Sequence, residues 1–205
     1  MNITSVKITP MDVENKRVKA SVTAILGGCL VLKNLLLMTK ADNSDEFQVI
    51  MPARKMPDGK YKEYFHPVTT EARKEITDKI VDAYKKIIAD PENSIVVYDG
   101  EEKPLDISSV RIFVIKDDPK VKGLATVVLD DCFALAQLRI MENPDNQKPW
   151  ISVPSKKTTY TDESTGKPYY QQIYHPINKE FREVLHNKIV EQYNKISDKY
   201  GVKPI

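Results

Sequence analysis

Hydrophobic and polar residues alternate along a stretch near the N-terminus. Apolar side chains occupy every second position from Val18 to Leu26, and lysine, serine and threonine fill the first three positions between them. This period of two predicts a β-strand with one buried face. Because glycine readily takes positive φ, Gly27 and Gly28 then predict a tight hairpin into a second apolar strand that runs from Leu30 to Met38.

The same series of elements occurs twice in the chain. ITSVKI at 3–8 returns as ISSVRI at 107–112, and the hairpin at 18–38 returns at 121–141 with two aspartates at its turn. Further matches, in the same order, pair MPARK with VPSKK, FHPV with YHPI, and KIVDAYKKI with KIVEQYNKI. So many collinear matches indicate an internal duplication. The one sizeable insertion lies between residues 157 and 175.

Each copy also contains a short strand and a closing helix. Phe47 to Met51 and Trp150 to Val153 are predicted strands that end at a proline, because proline lacks the donor that a central strand needs. Apolar residues then recur every three or four positions, which predicts amphipathic helices with Thr70 and Asn178 as N-caps. The predicted buried stripes are Ile76, Ile80, Ala83, Tyr84 and Ile87 in the first helix and Phe181, Leu185, Ile189, Tyr193 and Ile196 in the second.

The duplication predicts the domain organisation. The first repeat covers residues 1–88, a linker with Pro, Asn and Gly100 covers 89–106, and the second repeat covers 107–200; IVVYD at 95–99 is a candidate strand within the linker. A half of about 90 residues buries a modest core and leaves sheet edges open, so packing the halves together would enlarge the core. The predicted fold class is therefore α+β: two copies of a small antiparallel β-sheet domain with a projecting β-hairpin and a C-terminal amphipathic helix, packed as an intramolecular pseudo-dimer.

Two motifs carry a resemblance to a known family. The hairpin VVLDDCFALAQLRIM at 127–141 and the basic stretch MPARKMPDGKYKEYFHP at 51–67 resemble the SpoVG family of bacterial septation and sporulation regulators. Members of that family form homodimers, so the resemblance implies that the tandem chain is such a dimer made covalent. It also implies that the chain binds DNA or RNA as a regulator and acts in septation or sporulation control.

The basic stretch is also the best candidate for a binding site. In each copy, cationic residues alternate with tyrosines around a turn, at Pro57-Asp58-Gly59 and at Gly166. Cations can neutralise phosphates while aromatic faces stack on bases. The alternative is a solvated hairpin whose tyrosines pack on its own sheet. The candidate nucleic-acid-binding residues are Arg54, Lys55, Lys60, Tyr61 and Lys62 in the first copy and Lys156, Lys157, Lys167 and Tyr169 in the second.

Composition and charge narrow the class of protein. The 205 residues are 41% hydrophobic, enough to bury a core, and the net charge of +2 is too small to indicate nucleic-acid binding without the local clusters. No apolar run reaches the ~18 residues of a membrane span, so we expect no membrane insertion and a cytoplasmic location. Two cysteines are too few for a disulfide framework or a four-thiolate zinc site. We expect neither a metal nor a cofactor.

Signatures of an enzyme are missing from the sequence. It contains no GxGxxG, phosphate-binding loop, HExxH or GxSxG motif. Cys29 with His66, or Cys132 with His175, would lack a third orienting group, and we interpret each His-Pro pair as a chain reversal before a helix. We therefore predict no catalytic residues.

Two functions remain open. The first is a non-enzymatic regulator that binds DNA or RNA. The alternative is a protein-interaction module in cell division or envelope regulation, which docks a cell-division or regulatory protein through the hairpins or exposed sheet edges without binding nucleic acid. In both cases we expect a monomer with internal pseudo-twofold symmetry.

Overall fold

The computed structural model describes residues 2–41, 45–98 and 103–205. The first half contains β1 (Ile3–Pro10), β2 (Val18–Leu26), β3 (Leu30–Thr39), β4 (Phe47–Ile50), β5 (Ala53–Lys55), β6 (Tyr61–Glu63), β7 (Phe65–Pro67) and α1 (Thr70–Ala89). After the linker strand β8 (Ile95–Val97), the second half contains β9 (Ile107–Val114), β10 (Val121–Leu129), β11 (Phe133–Glu142), β12 (Pro149–Ser152), β13 (Ser155–Thr161), β14 (Pro168–Gln172), β15 (Tyr174–Pro176) and α2 (Lys179–Tyr200). The order of elements is the same in the two halves, so the predicted α+β duplication is confirmed.

Each half forms an antiparallel meander. The strands β1, β2 and β3 pair in order, as do β9, β10 and β11, and β4 or β12 adds to the far edge of the third strand. The strands β4 and β12 each end one residue earlier than predicted. At the first hairpin turn Gly27 and Gly28 have φ of 55° and 64°, and at the second Asp130 and Asp131 have φ of 47° and 54°. The same turn geometry thus forms from two different residue pairs.

The two halves exchange one strand each. β15 of the second half pairs with β3 of the first, and His175 lies opposite Val31. Reciprocally, β7 of the first half pairs with β11 of the second, and His66 lies opposite Ala134. Because each sheet contains a strand of the other half, the pseudo-dimer is interlocked and separates only when both sheets lose a strand.

The exchanged strands carry large aromatic side chains of the core. Phe65 and Tyr174 are fully buried, and their ring centroids lie 6.1 Å apart. Phe65 also lies 5.9 Å from the ring of Phe133, and the Tyr174 hydroxyl donates to the carbonyl of Ala136 at 2.7 Å. One continuous core therefore runs through both halves.

The N-cap of each helix is a hydroxyl or amide side chain. In α1 the cap is Thr69, and the predicted Thr70 is wrong by one residue: the Thr69 hydroxyl accepts from the Ala72 N–H at 3.1 Å. An N-cap oxygen accepts from a backbone N–H two or three residues further on, and Thr69 is in the extended conformation that this contact requires. In α2 the predicted cap Asn178 is confirmed, and its side chain accepts from the Phe181 N–H at 2.9 Å.

The buried faces of the helices follow the predicted stripes except at two positions. Tyr84 is half-buried, and its ring lies 5.7 Å from that of Phe47. Ile196 is also half-buried, whereas Ser197 beside it is buried and donates to the Asn194 carbonyl at 2.8 Å. The helix α1 packs on β1, and α2 packs on β9. Neither helix of the described chain is long and apolar enough to span a membrane.

The linker is anchored to the first half. β8 pairs antiparallel with β1, and the Tyr98 hydroxyl donates to the Lys79 carbonyl at 2.6 Å and lies 3.1 Å from an Asp82 carboxylate oxygen. The predicted linker strand is thus present over Ile95–Val97, while residues 99–102, with Gly100, lie outside the described residues. Within the described chain nothing pairs with the corresponding outer edge of β9. The two sheets therefore differ at this edge.

Candidate nucleic-acid interface

Two β-hairpins project from the sheets, as predicted. We call residues 53–63, which contain β5 and β6, arm 1, and residues 155–172, which contain β13 and β14, arm 2. The turn of arm 1 is closed by a hydrogen bond from the Met56 N–H to the Lys60 carbonyl at 2.8 Å, and Gly59 supplies a φ of 82°. Arm 2 is longer because it contains the insertion of the second copy.

Arm 1 places cations directly opposite each other. Arg54 lies across from Lys62, and Lys55 lies across from Tyr61. Like charges at directly opposed positions destabilise a strand pair, and a bound anion would relieve their repulsion. Tyr61 is 71% exposed, so most of its side chain is accessible and can stack on a ligand. Lys60 lies beside the turn, with its Nζ 3.9 Å from an Asp58 carboxylate oxygen.

Arm 2 has two lysines at its base and a carboxylate near its tip. Lys156 lies opposite Gln171, and Lys157 lies opposite Tyr170. At the tip, the Tyr169 hydroxyl donates to Asp162 at 3.1 Å. Hydrogen bonds from Ser164, Thr165 and Tyr169 hold the pKa of the Asp162 carboxyl well below its usual range.

The predicted site residues of arm 2 therefore have unlike surroundings. Lys167 follows the turn, and its backbone carbonyl accepts from the Asp162 N–H at 2.8 Å. Lys167 and Tyr169 thus lie around an ionised carboxylate, which is unfavourable for a phosphate. Lys156 and Lys157 at the base are better placed to contact an anion.

Two clefts lie at the bases of the arms and occupy matching positions in the repeat. The Asn34 cleft has a volume of about 510 Å³, and its lining includes Ser21, Asn34, Leu36, Tyr61, Tyr64 and Lys156. The Arg139 cleft has a volume of about 90 Å³, and its lining includes Arg54, Tyr64, Gln137, Arg139, Ser152 and Ser155. Tyr64 lines both clefts, so they are neighbours. The repeat aligns Asn34 with Gln137 and Leu36 with Arg139.

The Arg139 cleft combines cations from both halves. Arg54 comes from arm 1 and Arg139 from β11, and two serines add hydroxyl groups. No aspartate or glutamate is among the described residues that line the cleft, and the buried Nε of Arg54 has no hydrogen-bond partner in the described chain. Guanidinium groups with unused donors are suited to bind a phosphate.

The two amide residues, Asn34 and Gln137, occupy matching irregularities in the central strands. Their φ values are 61° and 63°, and the strand register shifts close to each of them. The Gln137 Nε2 donates to the carbonyls of Lys62 and Glu63 at 3.3 Å each, which ties arm 1 to β11. The Nδ2 of Asn34 is buried and has no hydrogen-bond partner in the described chain.

Sequence reasoning did not include Asn34, Gln137 and Arg139 in the site. They lie in apolar strands, outside the basic stretches. The sequence offered one signal for Arg139. It is a charged residue in an otherwise apolar strand of the second copy, at the position where the first copy has Leu36.

Each cysteine is hydrogen-bonded to the segment that the other half contributes to its sheet. The Ile177 N–H donates to the Cys29 carbonyl, and the Val68 N–H donates to the Cys132 carbonyl, both at 2.8 Å, so each cysteine contacts the exchanged segment of the other half. Burial raises the pKa of the Cys132 thiol, whereas an activated thiolate needs a lowered pKa. Among the described residues, no group of three or more His, Cys, Asp and Glu side chains is placed to hold a metal ion.

The repeated domain matches a known protein family. The model of the SpoVG family matches residues 1–86 and 105–195. The chain belongs to the SpoVG family. Its match in two segments and its repeated fold make it a tandem duplication of the SpoVG domain.

Relatives of this SpoVG-family chain are named putative septation protein SpoVG. The one from Phytoplasma australiense is 31% identical over 92 residues, which is 45% of this chain and 86% of the relative. One from Clostridium perfringens is 34% identical over 87 residues, 42% of this chain and 92% of the relative. One from Bdellovibrio bacteriovorus is 31% identical over 104 residues, 51% of this chain and 92% of the relative. Each relative thus matches about half of the chain, and their name links the family to septation.

Proposed function

We propose that this chain is a non-enzymatic regulator that binds DNA or RNA along its two arms and acts as a monomer in the cytoplasm. The observation that carries the proposal is the Arg139 cleft, where Arg54 and Arg139 from different halves line one small space without a carboxylate among its described lining residues. A phosphate bound there would be held by both halves at once. A role in septation or sporulation control rests on the name of the relatives.

The remaining cations extend this site along the arms. Lys55, Lys60 and Lys62 are exposed on arm 1, and Lys156 and Lys157 are exposed at the base of arm 2. Because Tyr61 and Lys156 line the same cleft, the bases of the two arms are adjacent. A nucleic acid strand can therefore contact both arms, and its phosphates would replace counterions at several positions.

The test is a salt-titrated fluorescence anisotropy assay with a double variant, Arg54→Gln and Arg139→Gln. We expect its affinity for DNA and RNA to fall on the order of tenfold or more, because two phosphate contacts are lost. The slope of log K against log salt should become shallower by about 1.4 for a single strand. The matched control is Lys74→Gln, which removes one charge from the exposed face of α1, outside both clefts.

A second variant separates charge from geometry. Arg54→Lys keeps the positive charge but loses the planar donor pair, so it should preserve the salt slope while weakening affinity. Equal affinity and slope for the wild type and the double glutamine variant would rule out the Arg139 cleft as the phosphate site. Absence of any binding by the wild type would rule out the proposed function.

The open edge of β9 supports a second candidate function, docking of another protein. The matching edge of β1 is covered by β8, whereas within the described chain β9 has no partner on that side. Phe113 of β9 is 68% exposed. An unpaired strand edge can accept an extended segment through backbone hydrogen bonds.

The chain itself supplies the probe for this edge. A peptide with the sequence of residues 93–98, NSIVVY, contains the segment that covers β1. If β9 docks a strand of this type, the peptide should shift backbone amide NMR signals of β9. Val110→Pro removes a backbone donor of β9 and should abolish the shifts, since Val110 matches Val6, which lies opposite Val96 of β8. Shifts spread over other elements would contradict this docking mode.

A further inference from the structure

The two clefts at the bases of the arms have diverged in size and chemistry. Resting on the proposed function, we infer that the Asn34 cleft holds an unstacked nucleobase, so that the preferred ligand is a single-stranded segment. The adjacent Arg139 cleft holds a phosphate of the same strand. The two pseudo-equivalent sites would then have complementary roles in one bound strand.

Two of the side chains that differ between the clefts are the amide and the residue two positions after it. In the Arg139 cleft, Gln137 reaches the carbonyls of Lys62 and Glu63, and Arg139 occupies the space beside it. In the Asn34 cleft the amide is one methylene shorter and leaves its Nδ2 without a partner in the described chain, and Leu36 replaces the arginine. The Asn34 cleft has a volume of about 510 Å³ and the Arg139 cleft one of about 90 Å³.

The walls of the Asn34 cleft match a flat heteroaromatic ring. Leu36, Ile50 and Met51 provide apolar surface, and Tyr61 is exposed at the cleft for stacking. Stacking of bases on aromatic side chains is a common way of binding single strands without strict sequence preference.

The Asn34 carboxamide supplies the polar contact inside this cleft. An amide offers both a donor and an acceptor to the edge of a base. An unmade hydrogen bond at the buried Nδ2 is unfavourable, so a ligand that completes it through a rotation of the amide gains affinity.

The rim of the Asn34 cleft supplies the charge that a nucleotide needs. Lys156 of arm 2 lines the cleft, and Tyr64 separates it from Arg54 and Arg139 in the neighbouring cleft. A base inside the Asn34 cleft can therefore remain attached to a backbone that contacts cations on both sides. In a duplex the base is paired and stacked, so it must first be extruded.

The experiment compares ligands that differ in whether they offer an unstacked base. The wild-type chain is titrated with a mixed-sequence single strand of about 12 nucleotides, its duplex, an abasic strand of equal length, and a free mononucleotide. We expect the single strand to bind roughly tenfold more tightly than the duplex or the abasic strand, because stacking one base commonly contributes that much. The mononucleotide should compete only at far higher concentration, since it lacks the neighbouring phosphates.

Two variants test the cleft itself. Asn34→Gln gives this cleft the amide of its counterpart, which already occurs at the same positive φ, and Tyr61→Leu removes an exposed ring without disturbing the interior. Each should reduce the preference for the base-bearing strand to about twofold or less while leaving the salt slope unchanged. The matched control, Tyr200→Leu, removes an exposed tyrosine ring of α2 that lines neither cleft, so it should keep the preference.

The outcomes distinguish this inference from the proposed function. Salt-dependent binding that is equally tight for single, duplex and abasic strands would overturn the base site but leave the proposed function intact. If the mononucleotide competes as well as the single strand does, the Asn34 cleft is not a site for a base of a bound strand. The cleft would then be assigned to free nucleotides. No binding of any nucleic acid would overturn both.

Discussion

The two halves of the chain agree in the core and differ at the clefts. Phe65 and Tyr174 occupy matching positions, and each is a fully buried aromatic on a strand paired with the sheet of the other half. At the clefts Asn34 stands where the other half has Gln137, and Leu36 stands where it has Arg139. A homodimer must place the same side chain in both clefts, whereas a duplicated chain can change each one separately. Duplication thus permits specialisation where packing does not demand symmetry.

The strongest test of the shared core is Phe65→Ala. Phe65 is 0% exposed and contacts aromatic rings of the second half, so its loss leaves a cavity between the halves. We expect the free energy of unfolding to fall by about 4 kcal/mol. Urea denaturation followed by Trp150 fluorescence and by far-UV circular dichroism measures the change.

The fluorescence of the single tryptophan reports whether the two halves unfold together. Trp150 belongs to the second half, whereas Phe65 belongs to the first. Coincident fluorescence and dichroism transitions, both shifted, are expected of an interlocked fold. A Trp150 transition that keeps its wild-type midpoint would contradict the interlock. Tyr61→Ala, at an exposed position, should change the free energy of unfolding by no more than about 0.5 kcal/mol.

A smaller effect is expected at the hairpin turn, where the first half has glycine and the second has aspartate. A Cβ on Gly27 would lie 2.8 Å from the Lys103 carbonyl oxygen and 2.9 Å from Leu105 Cγ, because the end of the linker passes over this turn. Gly27→Ala combines that clash with a φ of 55°, and we expect a loss of about 2 kcal/mol in thermal or urea unfolding.

Gly59→Ala is the matched control for the turn. Gly59 also has a positive φ, of 82°, but a Cβ added to it would have no atom of the described chain within 4 Å beyond its immediate neighbours. Gly59→Ala should therefore lower the free energy of unfolding only by the cost of a positive φ for alanine, about 1 kcal/mol. Equal losses in the two variants would show that the linker contact contributes nothing.

The smallest effect concerns the pH dependence of stability. His175 lines a cavity of about 340 Å³ with Trp150, Arg182 and His186. Burial, together with Lys33 and Arg182, lowers the pKa of His175. The unfolded chain therefore binds this proton more readily than the folded chain, so stability falls as the pH drops below about 6.5.

The measurement is urea unfolding of the wild type and His175→Gln at about pH 7.5 and about pH 5.5. The variant should lose less stability on acidification than the wild type. His186→Gln is the control, because it changes a second histidine of the same cavity. An unchanged pH dependence in His175→Gln would contradict a role for this side chain.

Sequence reasoning was most successful where the signal is local. The period of two predicted β2, and the double glycine predicted the hairpin with positive φ. The apolar stripes predicted both helices, and Asn178 was recognised as a cap. Thr69 was missed because two adjacent threonines are equivalent as caps until the backbone conformation is known.

The candidate site was only partly accessible from sequence. The arms and their cations follow from basic stretches and turn residues that are close in the chain. The clefts do not, because Arg54 and Arg139 are separated by the linker and meet only through the exchanged strand β7 beside β11. Lys167 and Tyr169 were predicted from the same pattern of lysines and tyrosines around a turn as the other site residues. In the structure they lie at the tip of arm 2 beside Asp162.

By itself the sequence determined the duplication, the order of elements and the two arms, because periodicity, turn chemistry and caps depend on neighbouring residues. Only the tertiary structure decided that β7 and β15 cross to the opposite sheets. Each three-residue strand has much the same pattern as its counterpart, so either sheet could accept it, and the choice depends on packing Phe65 and Tyr174 between both halves. That packing brings distant residues together and creates the two unequal clefts.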